Sequence, residues 1–364
     1  MSSIHLLELQ NPYPDCVSLN LNGMLDSSGS AIALSLTLSC QEQWKTLLAG
    51  RVKFGIRAGW FRVKIQGGEF VPHNLTDSDP YELISIHHQE VCWKFTAPLG
   101  QSLLTLNNQE FPLGSLSLGQ SPGYLKGRWE INVADLVITD AEGLWRHDLT
   151  PIKYGILERV LARFLVQQYL QPISAIQLAL GDSPLQETQP LARSPEPNPE
   201  SLAALGDLIE TIYQADSQNL AELAQIANLN PKTDLAGGNF LGANLSGVEL
   251  NNANLAHTNF RGAILTDADL SEANLSYTNF SGADLSGAYL ESANLRYADF
   301  HKGSLALTNL ISTDLCHANL CQTTITHANF SGATVAQTTF SQNAGMTEEL
   351  QQSLQARGAK FLTD

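Results

Sequence analysis

The chain has 364 residues, which is long enough for two or three domains with sizeable cores. Its formal net charge of −16, from 36 acidic and 20 basic residues, argues against direct binding to nucleic acid. Five cysteines, an odd number without framework spacing, indicate a reducing compartment. Because no signal peptide and no transmembrane apolar run is visible, we expect a cytoplasmic protein.

Residues 1 to about 150 have the alternating pattern of β-strands. Six short runs alternate apolar with polar residues, and turn signals such as Asn22-Gly23 lie between them. The runs are 17–21, 32–38, 52–56, 61–65, 91–95 and 131–133. Many half-buried strands at short spacing predict an antiparallel β-sandwich or a barrel-like domain. The sandwich is favoured, and a barrel with a ligand cavity stays open because the alternation is the same in both.

A helix is predicted at residues 151–171, with Thr150 as its N-cap. Its wide apolar stripe indicates packing across an open sheet face, so the helix is assigned to an N-terminal domain spanning 1–181. The less favoured alternative is a helix on a membrane surface, which would use the three bases that lie off the stripe. These bases are Lys153, Arg159 and Arg163.

Residues 182–198 are rich in Pro, Ser and Glu, which predicts a linker. Residues 199–230 then carry two apolar helical patterns that lead directly into a repeat region. An open end of a repeat stack exposes apolar rings and unpaired backbone groups. We therefore expect 199–230 to form a helical N-terminal cap.

Residues 231–345 contain a five-residue repeat that organises the second half of the chain. From Leu235 to Phe340, Leu, Phe, Ile or Val falls on every fifth position, which gives 22 consecutive units. A small residue such as Ala243 mostly lies two places before each of these centres. A period of five suits neither a helix nor a flat strand. It predicts a square tube in which each unit forms one side, with the centre and the small residue pointing inward.

The phenylalanines give an independent check on four units per coil. Phe occupies the centres at 240, 260, 280, 300 and 340, so that it recurs every twentieth residue with one departure at Leu320. One coil is therefore expected to contain twenty residues, and the rings to stack in one column.

Residues 346–364 predict a C-terminal capping helix and tail. Thr347 is a suitable N-cap, and Leu350 and Leu354 share a face that should cover the last coil. The oligomeric state is left open, with a monomer favoured over a dimer because both tube ends are expected to be covered.

Units such as Ala243-Asn244-Leu245-Ser246-Gly247 resemble the A(D/N)LXX pattern of the pentapeptide-repeat family, over residues 233–342 only. The resemblance implies a right-handed quadrilateral β-helix. The predicted fold class is thus mainly β: this β-helix with helical caps, plus the N-terminal sandwich or barrel-like domain with its helix. The helical lead-in also resembles that of pentapeptide proteins from photosynthetic bacteria. Family members differ in function, so the resemblance does not choose one.

The sequence contains no catalytic or cofactor-binding motif, so we expect neither an enzyme nor a cofactor. Two groups have metal-ligand chemistry. The first is His88, Glu90 and Cys92; the second is Cys316, His317, Cys321 and His327. The first should face solvent on one strand, and the second should point apart around the tube. No metal site is predicted.

Two outer surfaces of the tube are candidate binding sites, since residues twenty apart should stack. The first, the aromatic ladder, consists of His257, Tyr277, Tyr297 and His317. Aromatic residues are enriched in protein interfaces, although stacking for stability alone would explain the same column. The second, the acidic face, consists of Glu249, Asp269, Glu272 and Glu291. The resemblance implies that such a face could imitate DNA, but the acids reach about half the charge density of a duplex or less.

Three functions are therefore carried forward. The leading hypothesis is a non-catalytic scaffold that binds an unidentified protein through a rigid β-helix surface. The first alternative is protection of a topoisomerase, such as gyrase, by imitation of DNA. The second is a small-ligand-binding N-terminal domain tethered to a repeat tube.

Overall fold

The computed structural model describes residues 5–8, 16–25, 30–66, 68–75, 81–87, 90–96, 108–117, 123–146, 148–170, 174–180 and 198–362. The chain divides into two compact units. The first comprises 1–144 and 164–202, and the second comprises 145–163 and 203–364. Apart from Asn198, the predicted linker lies outside the described residues.

The first unit is built from antiparallel strands in three sheets. The strands are β1 (His5–Glu8), β2 (Val17–Leu25), β3 (Ala31–Cys40), β4 (Gln43–Leu47), β5 (Gly50–Ile56), β6 (Ala58–Gln66), β7 (Glu69–Pro72), β8 (Tyr81–His87), β9 (Glu90–Thr96), β10 (Gln109–Ser117), β11 (Gly123–Glu130), β12 (Leu136–Glu142) and β13 (Ser174–Leu180). Their order in the three sheets is β1-β13-β11-β6-β9-β8, β2-β3-β10-β7 and β12-β5-β4.

Aromatic rings join the six-stranded sheet to the four-stranded sheet. The rings of Phe95 and Phe111 lie 5.3 Å apart, and those of Phe70 and Trp93 lie 5.6 Å apart, one residue of each pair coming from each sheet. Such contacts need the two inner faces to oppose each other. Each of these sheets ends in two edge strands among the described residues. The described strands therefore form a sandwich of open sheets rather than a closed barrel.

The predicted strand at 131–133 is wrong. The chain leaves β11 at Glu130 and makes a 3-10 turn at Val133–Asp135 before β12 begins. The backbone N–H of Asn132 donates to Oδ2 of Asp135 at 3.0 Å. A local bond from a carboxylate to the backbone competes with strand pairing, which the alternation of apolar residues does not reveal.

Helix α1 (Pro151–Gln168) forms as predicted, but most of it does not belong to the N-terminal unit. Residues 145–163 belong to the second unit, so the first turns of α1 are grouped with the repeats rather than with the sheets. The Thr150 hydroxyl does not cap the helix and is buried without a partner. Tyr154 N–H instead donates to the Thr150 carbonyl at 2.9 Å.

Two helices precede the repeats, α2 (Pro199–Gln214) and α3 (Leu220–Ile226), and from residue 203 onward they belong to the second unit. Asn198 Oδ1 accepts from the Ser201 N–H at 2.6 Å, and Asn219 Oδ1 accepts from the Ala221 N–H at 2.9 Å. These are N-cap bonds, which satisfy donors that a helix end leaves open.

The repeats form a stack of twenty-residue coils, here called the coil stack (residues 235–342). Parallel bridges join residues twenty apart, from Asn239 with Asn259 to Asp314 with Thr334. The same register continues between β14 (Asn319–Cys321) and β15 (Thr339–Ser341). The apolar centres are buried, as are most of the small residues two places before them. This confirms the predicted inward positions and four units per coil.

The phenylalanine column is present as predicted. Rings at 240 and 260, 260 and 280, and 280 and 300 stack at 5.7, 5.5 and 4.9 Å. Each stacked ring adds one large buried side chain to the core of its coil.

The C-terminal end of the coil stack is covered by helix α4 (Glu348–Ala356) and strand β16 (Lys360–Phe361). Thr347 Oγ1 accepts from Leu350 N–H at 3.2 Å, as predicted for the N-cap. Leu354 is buried, whereas Leu350 is only half-buried. Phe361 was not among the predicted core residues, but it pairs with Phe340 in a parallel strand and extends the ring column at 5.3 Å. Within the described part of the chain, no helix is long and apolar enough to cross a membrane.

Buried threonines offer a test of the inward positions. Thr278 is fully buried, and its Oγ1 donates to the Leu255 carbonyl at 3.0 Å. We expect Thr278→Val to lower the free energy of unfolding by about 1 kcal/mol, because the carbonyl loses its hydroxyl partner. Urea denaturation measures the change. Thr266, whose hydroxyl bonds Ser246 on the outside, is the matched control; an equal loss for Thr266→Val would contradict the assignment.

Candidate functional site

Every unit of the coil stack turns at the two positions after its centre. At Phe260, for example, the Ala263 N–H donates to the Phe260 carbonyl at 2.9 Å, and the intervening Gly262 has a φ of 65°. The second turn position has a positive φ in all 22 units, of which seven contain Gly. This pattern is typical of type II turns, which favour glycine at that position.

The aromatic ladder occupies this second turn position in four successive coils. Its residues have φ values of 62°, 59°, 59° and 63° from His257 to His317. Their ring centroids lie 4.9, 4.8 and 4.7 Å apart, with planes within 10° of parallel. The structure therefore brings the four predicted residues together. They are half-buried rather than fully exposed, because neighbouring rings cover each other's faces.

An amide column runs beside the aromatic ladder. Asn294 Nδ2 donates to Asn274 Oδ1, and Asn274 Nδ2 donates to Asn254 Oδ1, both at 3.1 Å. At the end of the column, Arg296 Nη1 lies 3.2 Å from Asp314 Oδ2. The Arg296 guanidinium is also 5.8 Å from the Tyr297 ring centroid, within cation–π range.

The carboxyl group of Asp314, at the end of the amide column, is stabilised in its ionised form. Partial burial would raise the pKa of Asp314, but hydrogen bonds from Cys316, Arg296 and Thr334 outweigh it and hold the pKa below its usual value. Asp314 is therefore a carboxylate at neutral pH. The aromatic ladder thus ends beside a fixed ion pair, while its middle is flanked by neutral amides.

The acidic face is less uniform than the sequence suggests. Glu249, Glu272 and Glu291 are exposed, but Asp269 is half-buried and its Oδ1 accepts from the Ser271 N–H at 3.0 Å. That bond is an Asx turn, which explains an aspartate there by local backbone geometry. Three freely exposed carboxylates remain.

The structure places the residues with metal-ligand chemistry as follows. His88 lies outside the described residues. Glu90 bonds Arg62, but Cys92 is buried in cross-strand register with Arg62. The expectation that Cys92 faces solvent is therefore wrong, because the strand is buried on both faces at this point. Across the described ranges, no three His, Cys, Asp or Glu side chains are grouped so as to hold a metal ion. All five cysteines lie within those ranges and are free thiols.

The three bases of α1 do not face a membrane surface; each bonds backbone carbonyls of the second unit. Lys153 Nζ donates to the carbonyls of Tyr213 and Ala215 at 3.0 and 2.6 Å. Arg163 donates to those of Asn228 and Ala227 at 2.6 and 3.1 Å. Carbonyls at helix ends lack partners within their own helix, and a cationic side chain satisfies them well.

The third base belongs to an ion pair that sequence analysis missed. Arg159 Nη2 lies 3.1 Å from Glu158 Oε1, and both side chains are at most 2% exposed. Arg159 Nη1 donates to the Ala236 carbonyl at 2.8 Å, and Glu158 Oε2 accepts from the Asn239 N–H at 2.9 Å. The available signal was an acid inside an apolar stripe, since Glu158 follows Leu157 and precedes Val160 by two places.

The geometry of the second unit defines a class: a repeat protein whose five-residue units stack into coils. Residues 232–267, 268–305 and 304–342 match the family model described as Pentapeptide repeats (8 copies). Residues 232–342 are therefore pentapeptide repeats, and the family assignment covers only this segment. Among curated proteins, the chain has no match.

Solved structures with similarity to the chain align with about a third of it. A pentapeptide repeat protein from the Arabidopsis thaliana thylakoid lumen is 28% identical, over 32% of this chain and 78% of that one, with a TM-score of 0.19. The pentapeptide repeat protein Rfr23 from the cyanobacterium Cyanothece 51142 is 24% identical, over 29% and 90%, with a TM-score of 0.18. Full-length QnrB1, a plasmid-mediated fluoroquinolone resistance protein, is 14% identical, over 33% and 80%, with a TM-score of 0.18.

Proposed function

We propose that the chain is a non-catalytic scaffold that binds a protein partner through the aromatic ladder. The observation that carries the proposal is four rings held parallel at 4.7–4.9 Å on one corner of the coil stack. Rings fixed in this way lose little conformational entropy when a partner binds, and aromatic residues are the commonest energetic anchors of interfaces. We also propose that the coils form a right-handed quadrilateral β-helix, which the bridges between residues twenty apart support.

Stability alone gives a weak reason for the aromatic ladder. A left-handed backbone costs a residue other than glycine about 1–2 kcal/mol, and each ring pair returns about 0.5–1.5 kcal/mol. Four positions carry the cost, about 4–8 kcal/mol in total, and three ring pairs return about 1.5–4.5 kcal/mol, so ring stacking does not exceed the backbone cost. Glycine, which seven units use, would avoid the cost altogether. Ring stacking therefore gives these four positions no net stability advantage over glycine.

This balance yields a prediction for Tyr277→Gly combined with Tyr297→Gly. Glycine relieves the backbone strain while the ring stacking is lost, so we expect a change of less than about 2 kcal/mol in the free energy of unfolding. Urea denaturation and circular dichroism measure it. Loss of the β-rich spectrum, or a much larger destabilisation, would show that the aromatic ladder is structural.

The same variant tests the function. The full chain is the right bait, because a fragment from residue 196 onward would lack the 145–163 segment of the second unit. We expect a protein captured from lysate of the source cells by the wild-type chain to be lost with the Tyr277→Gly, Tyr297→Gly variant. The matched control is Glu249→Gln, Glu272→Gln, Glu291→Gln, which neutralises the exposed part of the acidic face and should retain the partner. If both variants still capture the partner, the proposal is contradicted and the partner binds another surface.

No observation favours topoisomerase protection to the same degree. One of the four carboxylates of the acidic face is engaged in a turn, and the other three are spread over coils about 4.8 Å apart. A DNA duplex carries a charge every ~1.7 Å. If the wild-type chain and the tyrosine variant capture a gyrase subunit and the Glu249→Gln, Glu272→Gln, Glu291→Gln variant does not, topoisomerase protection would replace the scaffold proposal.

Ligand binding by the first unit has limited support. The four-stranded sheet carries a depression of about 510 Å³ that is lined by residues including Met24, Val71, His73 and Glu110. Met24 and Val71 are 74% and 56% exposed, so this depression is open to solvent. Small-molecule sites usually enclose most of the ligand surface. The open depression therefore supports ligand binding less than the aromatic ladder supports the scaffold proposal.

A further inference from the structure

The first coil of the stack has an edge that no earlier coil can cover. In later coils, the backbone N–H of the residue before each centre donates to a carbonyl of the preceding coil. Examples are Asn259 to Gly238, Ile264 to Ala243 and Asp269 to Val248, each at 2.9 Å. In the opposite direction, the backbone N–H of each second turn position donates to a carbonyl of the next coil, as His257 does to Ser276 at 2.9 Å. On the first coil, Asn239 N–H and the Ala236 carbonyl are the groups that would pair with such a preceding coil.

Glu158 and Arg159 satisfy these two groups. Glu158 supplies an acceptor where a preceding coil would place a carbonyl, at 2.9 Å from Asn239 N. Arg159 supplies a donor where a preceding coil would place an N–H, at 2.8 Å from the Ala236 carbonyl oxygen. Two neighbouring side chains of one helix thus supply the acceptor and the donor that one side of a preceding coil would supply.

Gly155 allows the helix to reach this edge. A Cβ atom at that position would lie 2.5 Å from the Phe240 ring and 2.8 Å from the Asn239 carbonyl oxygen. Glycine inside a helix costs about 1 kcal/mol relative to alanine, so close packing explains its presence. Helix residues 155–159 therefore cover the first ring of the phenylalanine column as well as the edge of its strand.

We propose that Gly155, Glu158 and Arg159 stand in for a further coil and so keep this edge from pairing with the coil stack of a second copy of the chain. Uncovered strand edges offer unpaired N–H and C=O groups to any other strand, and proteins commonly block them. The fitting partner for this edge is another parallel coil with the same spacing. The proposal is independent of the function of the aromatic ladder, which lies on the side of the coil stack.

The test is the mass of the full chain with Glu158→Ala and Arg159→Ala, measured by light scattering after size exclusion from low to high micromolar concentration. We expect the wild-type chain to stay monomeric and the variant to reach at least twice the monomer mass as concentration rises. Arg163→Ala removes a base of the same helix that bonds other carbonyls, and should stay monomeric. Adding Asn239→Pro to the double variant removes the edge donor and should restore the monomer, which separates edge pairing from aggregation.

Hydrogen exchange at the Asn239 amide shows whether a double variant that stays monomeric has an open edge. If the Asn239 amide exchanges faster in the double variant while its mass stays that of a monomer, the edge is open and does not pair, and the proposal is overturned. Assembly that persists with Asn239→Pro also overturns it. Should the double variant fail to fold, Gly155→Ala displaces the helix while keeping both charges; a folded Gly155→Ala chain that remains monomeric with a rapidly exchanging Asn239 amide would refute the proposal.

Discussion

Replacing Phe280 by alanine is expected to lower the free energy of unfolding by about 3–5 kcal/mol. Phe280 is fully buried, and its ring stacks on those of Phe260 and Phe300 at 5.5 and 4.9 Å. The loss combines the transfer of an aromatic ring to water with a cavity that the coils above and below cannot close, because backbone bonds hold them at strand spacing. Urea denaturation of the repeat segment measures it.

The matched control is Tyr289→Ala, since Tyr289 lies on the outside of the same coil and is 53% exposed. A change within about 0.5 kcal/mol is expected there. Equal effects at the two positions, or no effect at Phe280, would show that the inward assignment of the centres is mistaken.

Arg159→Ala is expected to be comparably damaging, at about 3–5 kcal/mol. The substitution leaves the Glu158 carboxylate buried without its countercharge and removes the donor to the Ala236 carbonyl. Breaking one half of a buried pair is costly because the remaining charge stays desolvated. Thermal or urea denaturation of the full chain measures the effect.

Arg146→Ala provides the comparison for this prediction. Arg146 also pairs with a glutamate, Glu210, at 2.8 Å, but both side chains are about half exposed. Solvent screening makes such exposed pairs weak, so the loss at Arg146 should be much smaller than the loss at Arg159. If Arg159→Ala costs no more than Arg146→Ala, the ion pair of α1 does not cover the first coil in the manner described.

The five-residue period was sufficient to predict which side chains of the repeat segment are buried. Its centres and small residues are inward because that period repeats the same backbone geometry in every unit, so a local pattern determines burial throughout. Residues twenty apart could be placed in columns for the same reason, which is how the aromatic ladder was found. Its positive φ was not predicted, although glycine in seven of 22 units at that position was a usable signal.

Contacts made by nonrepeating residues could not be predicted in this way. The apolar stripe of α1 shows that the helix is buried on one side, but periodicity does not say against which unit. Phe361 lies 21 residues after Phe340, outside the five-residue register, because helix α4 intervenes between the last coil and strand β16. Both contacts depend on where the chain returns in space.

The central claim is that the aromatic ladder is a protein-binding surface, and its most direct test is the affinity of the captured partner for two folded chains. The wild-type chain and the Tyr277→Gly, Tyr297→Gly variant are compared by calorimetric titration. Aromatic anchors typically contribute about 2 kcal/mol or more, and every 1.4 kcal/mol is tenfold in Kd. We predict binding weakened by at least about tenfold, with the fold intact. An unchanged Kd for a variant that retains its β-rich spectrum would contradict the claim.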